Sequence, residues 1–282
     1  MKELFLCSFS SSDLKRSINR YLLQAKEMNI YNKIKVYKED DLPKNITKQI
    51  NDFFTLNQKR LYGYACWKAF IIKDFLKSVP KNSIVQYSDI GCHFNINGKQ
   101  RLYEYIEICK KKNILGFQYY KPDLNFNQNF SYQNYIEKNF TKKKLLEYLK
   151  VENNESFLNS TQFWSGTVFF KNNEFSLNFL SQWERLSSIS YLIDDSLFDE
   201  KNDARFVEHR HDQSIFSLLC KINNIKGLSA SECEWAETDN KRTWEHLKNF
   251  PILAKRNKKY NILRRFISRQ KKNILRLISR LK

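Results

Sequence analysis

Ser83-Ile84-Val85-Gln86-Tyr87-Ser88-Asp89-Ile90-Gly91-Cys92 is the stretch on which the fold turns. Ile84, Val85 and Tyr87 predict a short strand over Ser83–Tyr87, which delivers an acid and a glycine at its carboxyl end. Upstream, Ala65–Val79 repeats apolar residues at Phe70, Ile71, Phe75 and Val79, the pattern of a helix, and Pro80 closes it. Downstream, Arg101–Lys111 reads as a helix and Ile114–Tyr119 as a strand. Towards the N-terminus, Lys2–Phe9 reads as a strand. Ser10–Asp13 supplies cap residues for a helix carrying Leu14, Ile18, Leu22 and Ala25. Lys33–Tyr37 is a second strand, and a second helix opens near Pro43 and Asn45 and runs to Phe54. Strands alternating with helices predict an α/β fold with a mostly parallel central sheet flanked by helices. Ligands of such sheets sit beyond the carboxyl ends of the strands, so Asp89 is where a functional acid belongs.

Past residue 120 the pattern loosens to residue 160. Thr161–Phe170 then reads as a strand, Glu174–Ser190 as a helix, Asp194–Glu208 as an acidic loop and His211–Ile222 as a helix. Residues 229–250 read as irregular. No Pro/Gly/Ser-rich linker interrupts the chain, so a single domain over 1–254 is expected, followed by a tail over 255–282.

The 282 residues are 41% hydrophobic and 15% aromatic, which excludes a disordered chain. No apolar run approaches the ~18 residues of a membrane-spanning helix. Six scattered cysteines without a CxxC pair argue against a zinc or disulfide scaffold and for a reducing cytoplasm. Of the formal charge of +19, twelve positive charges lie in 255–282 with no acid among them, leaving +7 on the rest. The tail, not the body, is the strongly basic part.

Four places can carry chemistry. Asp89 can present carboxylate oxygens to a divalent cation, or simply cap the turn before Gly91. Lys68, in Gly63-Tyr64-Ala65-Cys66-Trp67-Lys68, can meet phosphate oxygens or be a surface lysine beside a core tryptophan. Ser165-Gly166 is a small pair inside a bulky strand, marking either a close approach or a bulge. His209-Arg210-His211-Asp212-Gln213 concentrates polar groups at a helix start, for function or as a solvated cap. There is no Ser/His/Asp triad spacing, and six glycines leave little room for a phosphate-binding Gly-rich loop.

The order of these pieces resembles bacterial glycosyltransferases of the GT-A fold, in particular small sugar transferases of capsule, O-antigen or lipooligosaccharide synthesis. Those carry a Gly-Tyr-(Trp/Ala)-x-Trp-Lys-Pro-like segment, a strand ending in Asp-Ala-Gly-Cys, and a late His-Arg-His-Asp-Gln-Ser. Here the counterparts are Gly63–Lys68 followed by Ala69, then Asp89-Ile90-Gly91-Cys92, then His209–Ser214. The likeness runs from the first strand to about residue 256. More widely the chain is similar to retaining enzymes of the glycogenin and galactosyltransferase type, which place a Lys, an Asp-x-Asp, an Asn-(Ala/Ser)-Gly strand and an Asp-Gln helix start in this order. Gly91 stands where the second Asp of Asp-x-Asp is usual.

The resemblance implies a nucleotide-sugar donor, a glycan or lipid-linked glycan acceptor, and a divalent cation (Mn²⁺ or Mg²⁺) held by Asp89 and, by order along the chain, His246. It implies Asp212 and Gln213 as catalytic residues, and Ser8, Lys68, Asp89, Ser165, Gly166 and His211 as donor-binding residues. Two other readings are a basic nucleic-acid-binding protein and a non-catalytic relative of the same fold. The first is disfavoured because the charge gathers at the tail and no binding motif accompanies it, so no nucleic-acid partner is expected.

The aromatic stretch Phe117–Phe140 can stack on sugars or pack a core. The acidic cluster Glu232, Glu234, Glu237 and Asp239 reads as a solvated loop. In the tail, Asn261-Ile-Leu-Arg-Arg-Phe-Ile-Ser-Arg nearly repeats as Asn273-Ile-Leu-Arg-Leu-Ile-Ser-Arg. As a helix it sets Ile262, Leu263, Phe266, Ile267, Ile274, Leu277, Ile278 and Leu281 mainly on one side, against Arg and Lys. A basic amphipathic C-terminal helix lying on an anionic membrane surface is therefore expected, with the protein cytoplasmic and peripheral on the inner leaflet.

Overall fold

The computed structural model of the chain describes residues 3–56, 60–120, 130–196 and 204–255. Its strands are β1 (Leu4–Phe9), β2 (Tyr31–Tyr37), β3 (Ile84–Ser88), β4 (His93–Phe94), β5 (Ile114–Gln118), β6 (Ser131–Tyr132), β7 (Phe163–Lys171), β8 (Leu228–Ser229), β9 (Ala236–Thr238), β10 (Lys241–Thr243) and β11 (Ile252–Leu253). The longer helices are α1 (Ser17–Glu27), α2 (Lys44–Thr55), α3 (Lys68–Lys77), α4 (Lys99–Lys112), α5 (Glu174–Ser187) and α6 (Asp212–Ile222).

A six-stranded sheet in the order β2-β1-β3-β7-β5-β8 forms the centre. β1 pairs in parallel with β2 and β3, and β5 pairs in parallel with β8. β7 lies antiparallel between β3 and β5, so it alone runs against the other five. The expected mostly parallel sheet is present, with one reversed strand that periodicity cannot announce.

Alternation along the strands divides the core into two layers. Phe5, Cys7 and Phe9 of β1, Val85 and Tyr87 of β3, and Val168 and Phe170 of β7 face one way. They pack on Ile71 and Phe75 of α3, Phe179 and Trp183 of α5, and Ile215 and Leu219 of α6. Leu4, Leu6, Ile84, Leu115, Phe117 and Phe169 face the other way, onto Tyr21 and Ala25 of α1 and Leu102, Tyr105 and Cys109 of α4. Burial on both faces explains why β1, β3 and β7 read as nearly unbroken apolar runs.

The chain departs from the sequence expectation in several places. The helix expected over Ala65–Val79 starts only at Lys68. Leu61, Tyr62, Gly63, Tyr64 and Ala65 all have positive φ, between 51° and 72°, and form a left-handed turn. Such a conformation costs a non-glycine residue roughly 1–2 kcal/mol, so the surroundings must impose it. They do so through the Trp67 indole N–H, which donates to the Tyr62 carbonyl at 3.0 Å, and through Phe9, whose ring stacks on Trp67 at 3.9 Å. Gly63 has no alternative, because a Cβ there would lie 2.6 Å from Ile50 Cγ1.

At the N-terminal side, Ser12–Leu14 is a 3-10 turn and α1 proper starts at Ser17. The stretch 229–250 is more regular than expected, because β9 and β10 form a hairpin that β6 extends to three strands. The six cysteines are all free and buried. No described helix is long and apolar enough to cross a membrane. The amphipathic helix expected in the tail lies outside the described residues.

Candidate active site

Four segments far apart in sequence meet at the carboxyl edge of β3. Lys68 opens α3, Asp89 follows β3, Ser165 lies in β7 and Asp212 opens α6. The Lys68 ammonium lies 2.7 Å from Asp212 Oδ2 and 3.5 Å from Asp89 Oδ1. It also donates to the Ser165 carbonyl at 3.3 Å and hydroxyl at 3.2 Å. Ser165 Oγ in turn donates to Asp212 Oδ2 at 2.8 Å. The side chains of Lys68 and Asp212 are 5% and 4% exposed, whereas that of Asp89 is 45% exposed. Asp89 is thus the member open to a ligand, and Lys68 is the buried post that orients both carboxylates.

The turn bearing Asp89 is fastened from three sides. Its N–H donates to the Gly166 carbonyl at 2.8 Å, and its own carbonyl accepts from the Cys92 N–H at 2.8 Å. Arg20 of α1 donates to the carbonyls of Ile90 at 2.7 Å and Cys92 at 2.6 Å. The Tyr87 hydroxyl donates to Asp89 Oδ1 at 2.6 Å. Neither Arg20 nor Tyr87 stands out in the sequence as a site residue. Tyr87 lies two residues before Asp89 on the same strand face, which is the signal that spacing could have given.

Electrostatics follow from this burial. Burial alone would lower the Lys68 pKa, but the Asp212 and Asp89 carboxylates outweigh it and hold the ammonium above the ordinary lysine value. Burial lifts the Asp212 carboxyl above its usual range, against the pull of Lys68 and the Ser165 hydrogen bond. One cation and two carboxylates leave the cluster with an excess negative charge beside the exposed Asp89. That donor set suits a divalent cation completed by phosphate oxygens of a substrate. It does not suit one held by protein alone, since no group of three His, Cys, Asp or Glu side chains gathers among the described residues.

Of the other expected residues, Gly166 joins this contact set only through its carbonyl, which accepts the Asp89 N–H, and the rest fall outside it. His246 Nε2 engages the Glu234 carbonyl at 3.0 Å, and its ring lies beside Phe130 and Tyr132. No described contact joins it to Asp89. Ser8 is fully buried under α1, beside Tyr21. Gln213 donates to Gln162 Oε1 at 2.9 Å, within a buried polar web around Glu137. His211 Nδ1 lies 2.8 Å from the Ile193 carbonyl, and the ring packs on Tyr64 with centroids 4.5 Å apart. Its backbone, at φ 54° and ψ −123°, makes the sharp turn from which Asp212 starts α6. The close approach at Gly166 is made by the chain itself, for a Cβ there would lie 2.2 Å from the Trp164 indole. β7 also bulges there, since Leu115 and Phe117 of β5 pair with Phe169 and Trp164. A separate open depression of about 690 Å³, lined by Asn95, Arg242, Trp244, Lys248 and Lys255 among others, shares no residue with the Lys68 cluster.

Three enclosed histidines predict how stability responds to acid. Burial pulls the His211 pKa down to about 4, although Asp195 at 3.6 Å opposes it and Arg60 adds to it. Burial, Arg20 and Lys255 bring His93 to about 4. His209 is pushed down by burial and by the charges of His211 and Lys142. Each folded value lies below the ordinary histidine value, so the unfolded chain binds more protons in between. The histidine contribution is therefore full above pH ~6.5 and falls by up to about 1.4 kcal/mol per pH unit for each buried histidine, less for half-exposed His93, as pH drops towards 4. The Glu234 carboxyl, raised to about 7 by burial, offsets part of this between pH 7 and 4.5. Urea midpoints that do not move between pH 7 and pH 5 would contradict this.

No protein-family model and no curated protein sequence matches the chain. Solved structures do resemble it. One is a glycosyltransferase involved in the glycosylation of the major capsid of PBCV-1, at 10% identity and TM-score 0.44, with 89% of this chain and 92% of that one covered. Another is core-mannan synthase A from Aspergillus fumigatus in its Mn/GDP form, at 11% identity and TM-score 0.46, with 91% and 78% covered. A third is mouse xyloside xylosyltransferase 1 in its apo form, at 12% identity and TM-score 0.37, with 82% and 86% covered. At these scores the likeness carries no chemistry from those proteins to this chain.

Proposed function

We propose that the protein transfers a sugar from a nucleotide-sugar donor to a glycan acceptor. The observation that carries this is the convergence of Lys68, Asp89, Ser165 and Asp212 at the carboxyl edge of the sheet. That edge is where α/β sheets bind nucleotides, and a half-exposed carboxylate braced by a buried ion pair suits a diphosphate with its cation. Asp89 would hold such a cation, which when bound supplies neutralising charge for the leaving diphosphate. In the transfer, the acceptor hydroxyl oxygen bonds to the anomeric carbon, the bond from that carbon to the diphosphate breaks with its electron pair, and the hydroxyl proton passes to the departing diphosphate. Positive charge grows on the sugar ring in between. Asp212, desolvated and locked by Lys68 and Ser165, presents a fixed negative charge to it at no reorganisation cost. Lys68 acts by holding Asp212 and Asp89 in place.

A thermal-shift screen of the full chain against UDP, GDP, CDP and ADP with Mn²⁺ tests the donor site. One nucleotide at a hundredfold excess over Kd is expected to stabilise the fold by about 2.7 kcal/mol, and Asp89→Asn to abolish that gain. The absence of any shift would remove the reading.

The motif resemblance supports a bacterial surface glycan, of capsule, O-antigen or lipooligosaccharide type, as the acceptor. The basic tail supports a place for the enzyme at the anionic inner leaflet, where a lipid-linked acceptor would be within reach. Basic residues near such a surface contribute about 1 kcal/mol each, screened by salt. The full chain is expected to co-sediment with phosphatidylserine-containing vesicles in a salt-sensitive way. Reversing Arg264, Arg265, Lys271 and Lys272 to Glu should release it, and unchanged sedimentation would place the membrane contact elsewhere.

A further inference from the structure

Two features of the sequence find no place in the site above: the aromatic stretch Phe117–Phe140 and the acidic cluster at 232–239. The fold brings members of both together where β5 ends. The Tyr119 hydroxyl donates to Glu234 Oε1 at 3.2 Å. The Tyr119 ring meets Tyr135 edge-on, with centroids 4.6 Å apart. Tyr135 carries the Arg210 guanidinium 3.6 Å from its ring centre. Arg210 Nε is buried without a hydrogen-bond partner.

Glu232 shows by contrast what a structural acid looks like here. Arg101 grips it with two hydrogen bonds of 2.8 Å, and Tyr105 adds a third at 2.7 Å. Glu234 has no such clamp among the described residues. Beside it, Trp235 stacks against the Arg242 guanidinium at 3.8 Å.

This face adjoins the Lys68 cluster. β5 and β3 are both antiparallel to β7, so Tyr119 and Asp89 leave the sheet at the same edge. Buried Cys92 lies within the electrostatic reach of both Asp89 and Glu234. Arg210 and Asp212 flank the His211 turn, two residues apart. A carboxylate and a guanidinium beside aromatic faces form the kind of surface that binds a hydroxyl-rich ring, and the buried Tyr119 hydroxyl, 4% exposed, orients the carboxylate from behind.

We propose that Glu234 and Arg210, with Tyr119 behind them as the positioning residue of Glu234, form the subsite that binds the accepting saccharide, beside Asp212. The inference rests on the sugar-transfer reading and adds to it where the acceptor sits.

Two measurements on the full chain separate this inference from its premise. One is the nucleotide thermal shift with Mn²⁺. The other is retention on an array of immobilised mono- to tetrasaccharides, followed by KM and kcat for the saccharide retained best. Glu234→Gln and Tyr119→Phe are expected to keep the nucleotide shift, to weaken retention and to raise the acceptor KM at least about tenfold, the size of one charge-assisted hydrogen bond, with kcat little changed. Asp89→Asn is expected to do the reverse, losing the nucleotide shift and keeping retention. Retention unchanged in both Glu234→Gln and Tyr119→Phe, or lost together with the nucleotide shift, overturns the subsite. So does a wild-type chain that retains no saccharide. Saccharide retention without any nucleotide shift, sensitive to Glu234→Gln, upholds the subsite and sinks the transfer reading instead.

Discussion

Lys68→Met is expected to destabilise the folded chain by about 3–5 kcal/mol, the usual cost of removing one partner from a buried ion pair. Methionine preserves most of the apolar stem, so the loss reports the charge. The side chain it replaces is 5% exposed and answers Asp212 at 2.7 Å and Asp89 at 3.5 Å. Without the ammonium, the buried Asp212 carboxyl keeps only the Ser165 hydroxyl among these partners. A domain is stable by only about 5–15 kcal/mol, so a large part of the total would go. Urea denaturation reads it directly. The double variant Lys68→Met/Asp212→Leu should recover much of the loss, because a missing pair leaves no orphan charge, while nucleotide-dependent transfer stays absent. A single-variant loss below about 1 kcal/mol would mean that the two carboxylates do not depend on Lys68.

Asp212→Asn is expected to leave the fold in place and to slow transfer by about 10²–10³-fold, the typical cost of removing one preorganised electrostatic partner of the transition state. The amide has the shape of the carboxylate and can still accept from Lys68 and Ser165. Lys68 retains Asp89 as a counter-charge. What disappears is the negative charge next to the sugar ring. Single-turnover product formation at saturating donor, with the nucleotide thermal shift as a folding and binding control, separates the two effects. Full activity of the folded variant would remove Asp212 from the chemistry.

The sequence carried the strands, the two-layer core and the residues of the Lys68 cluster to different depths. The alternation in β1 and β3 and the 3.6-residue pattern of α5 and α6 are local properties, so they were legible. Asp89 stood at the carboxyl end of a readable strand, so its place at the sheet edge could be anticipated, whereas the grouping of Lys68, Ser165 and Asp212 with it was implied only by the resemblance of the motifs. Strand direction is not a local property, and nothing in Phe163–Lys171 says that it runs against its neighbours. The left-handed turn before Lys68 was hidden for a related reason. Gly63 is the only residue of the five that favours positive φ, and the others are forced there by contacts with Phe9 and Trp67. Gly166 gave a true signal of crowding, but the crowding group is Trp164 of its own strand. Glu232 and Glu234 looked alike as members of an acidic run, and only the fold distinguishes the one gripped by Arg101 from the one that meets the Tyr119 hydroxyl. Glu234 also differs in its environment, for burial pushes its carboxyl up to about 7 against the pull of Tyr119 and Arg210.

The insertion of β7 between β3 and β5 constrains how the chain is born. When the ribosome has released the first 120 residues, β3 can pair with β1 along one edge, but its other edge and both edges of β5 stay open, because Phe163–Lys171 and Leu228–Ser229 are still to come. At synthesis rates of about 5–20 residues per second, those strand edges wait for seconds with unpaired backbone groups, the condition under which nascent chains stick to one another. Asp212 arrives later still, so the nascent Lys68 side chain has its main counter-charge only after three quarters of the chain has been made. A nascent-chain series arrested at successive lengths should therefore stay protease-sensitive until β7 has cleared the exit tunnel, and harden in one late step as α6 docks.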